Sequence, residues 1–465
     1  METGIVPAKY TETGVRRFDG NPFIEAMPPL ETSKAAFLTG LSHYPPTPTA
    51  AIRKANEIVR LMELSCVNDV VFPFPEYQKA ALSIATIMRD AYVARNPISV
   101  LDRQRRHAIA TGGADGMPFP ANWKSSAKGH FMMAVSGMGK TTFANAFLLR
   151  YPQVISHDGY KGQHLKCQQI LYVVLRVPHD ATLRSLCIQF FQQIDNLLQT
   201  NYVRQAASVR NIAPMVQLMG QVATAVSLSF LVVDELQNLK HARGGNADFV
   251  LNLFSEIIEG LGISLLAIAT PAVQSVFEGS VRNSRKIASH GETVLKPMKR
   301  EDRLWQDFCE TYWDYSYVKK KARLSPEIMK AWYNVSAGNT AFAALAFTLA
   351  QRNEIGGREV IDESAFARTA ATDMAFLQPA VAALKSGKPE KLRAFDDLLF
   401  SPQYRALRAA LGAKESTSKR CIEEEFDDVS SDEPKPDQKA TPRRRAKKHV
   451  SDEQYDLPVE DPLAR

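Results

Sequence analysis

Two short runs of residues in this sequence have the types and spacing to do chemistry. The first is Ala134-Val135-Ser136-Gly137-Met138-Gly139-Lys140-Thr141, followed by Thr142. An apolar run precedes it and a helical pattern through Phe143, Phe147 and Leu148 follows, which is the strand-loop-helix setting of a P-loop. Gly137 and Gly139 let the backbone curl so that successive N–H groups can face a β-phosphate. Lys140 can reach the β- and γ-phosphates, and the Thr141 hydroxyl can bind magnesium. Ser136, Gly137, Met138, Gly139, Lys140, Thr141 and Thr142 are therefore the expected ATP contacts, with Ala134 in place of the usual first glycine. The second run, Phe230-Leu231-Val232-Val233-Asp234-Glu235, is four apolar residues ending in two carboxylates. A buried strand delivering acids at its carboxyl end matches a Walker B element, with Asp234 supporting the magnesium and Glu235 polarising the attacking water.

Two further features are positioned by these. A third apolar run, Leu265 to Ala269, ends at Thr270, whose side chain could sense the γ-phosphate beside Glu235; a plain turn fits the spacing nearly as well. Beyond it lies a cation-dense stretch in which Arg282 and Arg285 are candidates to reach a neighbouring subunit's γ-phosphate and stabilise transition-state charge. Surface arginines without that role fit equally.

The elements that must hold these residues are legible in outline. Apolar runs at 131–135, 170–177, 230–233 and 265–269 alternate with amphipathic segments, such as Leu183, Leu186, Phe190, Ile194 and Leu197 behind a cap at Asp180. Such alternation predicts an α/β fold, a parallel sheet with helices on both faces. Residues 1 to 50, rich in Pro and Thr, read as an extended arm, and 50 to 100 as two or three small helices. Residues 101 to 129, with Thr111-Gly112-Gly113 and the cluster Arg103, Arg105, Arg106 and His107, read as a linker with a solvated basic face. After residue 300 the pattern is helical; Ser325-Pro326 opens a helix that ends near Gly338-Asn339. The last fifty residues place an acidic run before a basic one and lack the apolar content to order themselves. The expected organisation is an N-terminal region over 1–105, an ATPase core over 106–300, a helical lid over 301–405 and a disordered charged tail over 406–465.

Composition narrows the class. The 465 residues are 45% hydrophobic and 23% charged, which argues against a fibrous or mostly disordered chain. The five cysteines are dispersed with no Cys-x-x-Cys pair, so neither a zinc site nor a disulfide framework is indicated. Without an apolar leader or a long apolar run, a soluble cytoplasmic protein with no membrane partner is expected. The net charge of +7 permits a nucleic-acid partner without requiring one. The loop after Walker B (Lys240, His241, Arg243) and the turn after the second strand (Arg176, His179, Thr182, Arg184) are candidate contacts for phosphates of duplex DNA.

Beyond the nucleotide motifs, the sequence resembles TnsC/TniB-type AAA+ ATPase regulators of Tn-seven-like transposons over roughly residues 11 to 400. The segments that carry the resemblance are Thr13-Gly14-Val15, Asn21 to Leu30 (Asn-Pro-Phe-Ile-Glu-Ala-Met-Pro-Pro-Leu), Tyr92 to Pro97, Tyr151 to Ile155 and Leu384 to Glu390. The resemblance implies an ATP- and magnesium-dependent ring or helical homo-oligomer on duplex DNA, binding without sequence preference. It also implies a link between a target-selection factor of the TniQ or TnsD type, site-specific or CRISPR-guided, and the TnsA and TnsB transposase subunits, with slow hydrolysis as a disassembly switch. The N-terminal region would face the targeting factor and the tail the transposase. One departure is the helix start Ala337 to Ala343, which lacks the cation of a sensor-2 arginine. A nucleotide-gated switch with little hydrolysis and another AAA+ DNA-remodelling ATPase are the alternatives.

Overall fold

Eight strands appear in chain order among the described residues: β1 (Val6–Pro7), β2 (Gly129–Ala134), β3 (Val154–His157), β4 (Cys167–Ile170), β5 (Tyr172–Arg176), β6 (Phe230–Asp234), β7 (Ser264–Ala269) and β8 (Glu292–Leu295). Five of them form a sheet in the order β5-β6-β7-β2-β8, parallel throughout. β2, β6 and β7 are buried along their whole length, as strands covered on both faces must be. The computed structural model describes residues 4–112, 119–242, 246–277, 281–392 and 395. These belong to one compact unit, residues 1–414, whereas the charged tail from 415 is a second unit outside the described residues, as is Arg243.

Side chains alternate across the sheet with the period of two that a strand imposes. Met132, Val232, Leu266 and Ile268 enter a core shared with the helix Pro75–Val93, the helix that follows the P-loop and the C-terminal helices. Met133, Val173, Leu175, Val233, Leu265 and Ala267 enter the opposite core, with Phe190, Ile194, Met215 and Phe254 from the intervening helices. The expected α/β class therefore holds, and the four anticipated strands lie within about two residues of their predicted ends. β1, β3 and β4 form a separate three-stranded sheet that the sequence reading did not anticipate.

Two expectations are corrected. The N-terminal segment is not an extended arm. Phe23 and Ile24 are fully buried, the Asn21 amide donates to the Tyr92 carbonyl at 2.7 Å, and the Gln169 amide donates to the Phe23 carbonyl at 2.8 Å. Pro7 lies in β1 and Pro22 opens a short helix, Pro22–Glu25, capped by Asn21, and apolar residues between the prolines are buried. The supposed linker contains a helix, Val100–Thr111, capped by Ser99 and ended by a left-handed Gly112. Its basic cluster is not simply solvated: Asp102 and Arg105 are completely buried, and Asp102 accepts from Arg105 Nε at 2.8 Å and from Arg106 Nε at 2.7 Å. Neutralising pairs let these charges enter the core, a partnership that a charge run alone does not reveal.

Residues 303–392 are helical, with Arg303–Trp313, Pro326–Ser336, Thr340–Glu354, Glu363–Ala371 and Gln378–Ser386. Trp332 stacks on Phe347 at 4.9 Å and on Phe366 at 5.4 Å, forming the aromatic centre of this lid. The fully buried Arg60 joins it to the N-terminal region, donating from Nη1 and Nη2 to the two Glu359 oxygens at 2.6 Å each. No helix among the described residues is long and apolar enough to cross a membrane.

Candidate functional site

The parallel sheet ends all its strands at one edge, and a crevice outside the carboxyl ends of such strands is where open α/β sheets bind ligands. There the P-loop leaves β2 and enters the helix Lys140–Leu148, with Gly137 and Gly139 both left-handed at φ 83° and 79°. A Cβ on Gly137 would lie 2.7 Å from Asn339 Oδ1, and one on Gly139 would lie 2.6 Å from Tyr77 Oη. Only glycine satisfies both the turn and the close approach of these neighbours. Lys140 is buried and donates from Nζ to the carbonyls of Ala134 at 2.9 Å and Val135 at 3.3 Å, which holds its ammonium over the loop. Ser136 and Thr142 are exposed, while Met138 is buried beneath the loop.

The Walker pair comes together as the motifs require. Thr141 Oγ1 donates to Asp234 Oδ2 at 2.8 Å, although the two are 93 positions apart. Asp234 is buried at the end of β6, and its other oxygen accepts the Glu235 N–H at 2.8 Å. A hydroxyl beside a carboxylate, facing a loop of backbone N–H groups, is an oxygen donor set suited to Mg2+. Glu235 turns the chain with φ 60°, a left-handed conformation uncommon outside glycine and often found where side chains are aimed for function. Gln237 was missed from the sequence. Its Nε2 donates to Glu235 Oε2 at 2.5 Å and its Oε1 accepts the Thr270 N–H at 3.1 Å, so one buried amide ties the candidate base to the residue after β7. Thr270 is itself buried at that position, between the Walker B strand and the P-loop strand.

Tyr77 and Asn339 were also missed as contributors. Tyr77 Oη donates to the Gly139 carbonyl at 3.1 Å, and burial pushes its phenol above the usual tyrosine range, keeping the proton on the oxygen. Asn339 Nδ2 donates to the Ser136 carbonyl at 2.8 Å and the Ala341 N–H to the Gly137 carbonyl at 2.9 Å. The helix start that lacks a sensor-2 cation is therefore seated directly on the phosphate loop.

The remaining candidates lie apart from this cluster. Arg282 and Arg285 are exposed on the helix Val281–Ile287, which is anchored by the buried Asn283; its Oδ1 accepts from Ser255 Oγ at 3.0 Å and its Nδ2 donates to Asn252 Oδ1 at 3.1 Å. The two proposed DNA loops adjoin, with Asn238 Nδ2 donating to the Val177 carbonyl at 2.8 Å and the His179 and His241 rings 6.5 Å apart. Arg176 and His179 are exposed, Lys240 is half-buried, and Thr182 caps the helix Leu183–Leu198 by accepting the Ser185 N–H. That cap was expected at Asp180, which instead accepts from the Thr182 and Ser185 hydroxyls. Arg184 donates to the Val209 and Arg210 carbonyls, a local structural use.

Residues 125–277 match the AAA domain family. No curated protein matches the sequence. Among solved structures, the chain is similar to the ORC2 protein of Aeropyrum pernix at 12% identity, covering 68% of this chain and 85% of that one with a TM-score of 0.36. It is similar to the Walker-type ATPase PABY2304 of Pyrococcus abyssi at 11% identity, covering 67% and 89% with a TM-score of 0.35. The RuvB Holliday junction branch migration motor of Thermotoga maritima matches at 13% identity, covering 68% and 81% with a TM-score of 0.31. The family match and the paired Walker elements identify an AAA-type P-loop ATPase domain in this chain.

Proposed function

We propose that this chain is an ATP-hydrolysing AAA+ regulator of transposition that assembles on duplex DNA and links a TniQ- or TnsD-type target-selection factor to the TnsA/TnsB transposase. The Thr141–Asp234 contact at 2.8 Å carries the ATPase part of the reading. Ser136 to Thr142 would hold the phosphates, and Thr141 and Asp234 the magnesium ion. When bound, that ion supplies charge neutralisation at the β- and γ-phosphoryl oxygens. Glu235 orients and deprotonates the attacking water, Thr270 senses the γ-phosphate, and Arg282 or Arg285 acts on a neighbouring subunit's nucleotide.

Support for the regulatory part is of two kinds. Two of the TnsC-like segments pack on each other, with the Asn21 amide donating to the Tyr92 carbonyl and the Phe23 and Tyr92 rings 5.2 Å apart, and Ile155 of a third enters the same hydrophobic core. The adjoining loops bearing Arg176, His179, Thr182 and Lys240 give a surface for non-specific phosphate contact. On this reading residues 1–105 meet the targeting factor, 301–405 form the lid and 406–465 meet the transposase, with the protein acting in the cytoplasm.

Negative-stain imaging with duplex DNA and a non-hydrolysable ATP analogue tests the proposal: rings or filaments are expected, and a monomer under every nucleotide condition overturns it. Either Arg282→Ala or Arg285→Ala should lower assembled-state hydrolysis by about 10³- to 10⁵-fold while an isolated subunit still binds ATP. Normal hydrolysis by both variants places the trans-acting residue elsewhere. The hydrogen bond from Gln237 to Glu235 favours one second reading, a nucleotide-gated switch with little turnover. If Gln237 holds the base back, Gln237→Ala raises steady-state hydrolysis; a fall instead makes Gln237 part of the hydrolytic arrangement and removes support for the switch.

A further inference from the structure

Three hydrogen bonds that reach the phosphate loop from outside end on its backbone carbonyl oxygens. Asn339 Nδ2 donates to Ser136 O, the Ala341 N–H donates to Gly137 O, and Tyr77 Oη donates to Gly139 O. A trans peptide unit is planar, with its C=O and N–H pointing in opposite directions. Drawing the Ser136 carbonyl toward the lid therefore turns the Gly137 N–H the other way, and the Gly137 and Gly139 carbonyls do the same for the N–H groups of Met138 and Lys140. These are N–H groups that a P-loop directs at the β-phosphate. Left-handed glycines leave such peptide units free to flip, so something besides the loop's own sequence must choose their direction.

We propose that Asn339 and Tyr77 are positioning residues that set the direction of the P-loop peptide units, holding carbonyls outward so that the loop's N–H groups face the nucleotide. The inference rests on the AAA-type ATPase reading and deepens it. Asn339 serves two separable purposes, because its Oδ1 caps the helix Thr340–Glu354 by accepting the Phe342 N–H at 3.2 Å while its Nδ2 reaches Ser136. Serine can cap but is too short and offers no amide. Tyr77 is likewise separable, since its ring packs 4.7 Å from that of Phe143 while its hydroxyl makes the hydrogen bond to the loop.

The test is calorimetric titration of the full chain with MgATP and MgADP, alongside Asn339→Ser, Asn339→Ala, Tyr77→Phe and the Lys140→Ala control. Each of the three positioning variants should bind ATP and ADP about 3- to 10-fold more weakly, equally for both nucleotides because the oriented groups face the β-phosphate. The nucleotide-free unfolding midpoint of Tyr77→Phe and Asn339→Ser should stay at the wild-type value. If Lys140→Ala loses ATP while Asn339→Ser and Tyr77→Phe bind as the wild type does, the inference falls and the ATPase reading stands. Wild-type affinity in Asn339→Ser with loss only in Asn339→Ala reduces Asn339 to a helix cap and overturns its part. A loss confined to ATP assigns these residues to the γ-phosphate instead, also against the proposal. A wild-type chain that binds neither nucleotide defeats the reading and the inference together.

Discussion

The phosphate loop has two flanks that differ in kind. On the Walker B side, Thr141, Asp234, Glu235 and Gln237 present side chains whose oxygens could meet magnesium or water. On the other side, Tyr77 and Asn339 present donors that meet only the loop's own carbonyls. One flank can do chemistry and the other can only decide where the loop's amides point. Damage to the first should change turnover or metal use, and damage to the second nucleotide affinity.

The sharpest way to separate them is Glu235→Gln, which should lower hydrolysis by about 10²- to 10⁴-fold and leave ATP affinity in place, as followed by phosphate release and calorimetry. A rate unchanged by this substitution removes Glu235 from the chemistry. Next in size is Glu359→Gln, whose partners Arg60, Lys319 and Gly356 lie outside both flanks. It leaves the buried Arg60 guanidinium without its carboxylate and should cost about 3 kcal/mol of stability in denaturant titrations, with nucleotide contacts untouched. Arg60 hydrogen bonding holds the Glu359 carboxyl down to about 2, below its ordinary 4.5. Because the folded state binds its proton more weakly than the unfolded chain, the stabilisation is complete above about pH 5 and is lost as pH falls toward about 2. Wild-type stability should therefore drop more steeply across that window than that of Glu359→Gln, and parallel curves would contradict the pairing. The smallest effect is expected from Thr141→Val, which should raise the magnesium concentration for half-maximal nucleotide binding about 10-fold. No change there would remove Thr141 from the metal's surroundings.

The same contrast explains what was legible in the sequence. The Walker B flank is written in runs of six and eight neighbouring residues, and its strand context follows from apolar blocks, so Lys140, Thr141, Asp234 and Glu235 could be picked out before their contacts were known. Gln237 lay only two residues further on, but nothing about a glutamine in a turn announces a bond to the preceding glutamate. The scaffolding flank joins residues 62 and 203 positions apart, Tyr77 to Gly139 and Asn339 to Ser136. Asn339 could be read only as a helix boundary and Tyr77 only as one apolar position in a helix. Helix Val100–Thr111 was hidden for a related reason: its charges looked solvated because the pairing within Asp102, Arg105 and Arg106 depends on a helical spacing that the nearby Gly-rich turn signals disguised.

The docking of the N-terminus on the small sheet has a consequence for synthesis. Tyr10 meets His157 across 147 residues and β1 pairs with β3, so the first segment has no seat until the chain has grown past that point. At 5–20 residues per second, roughly 7–30 s pass between making the one and making the other. In the first part of that interval, before the helix Pro75–Val93 is made, Phe23 and Ile24, fully buried in the finished fold, are apolar residues without a core, and the nascent chain presents them to whatever binds exposed hydrophobic segments.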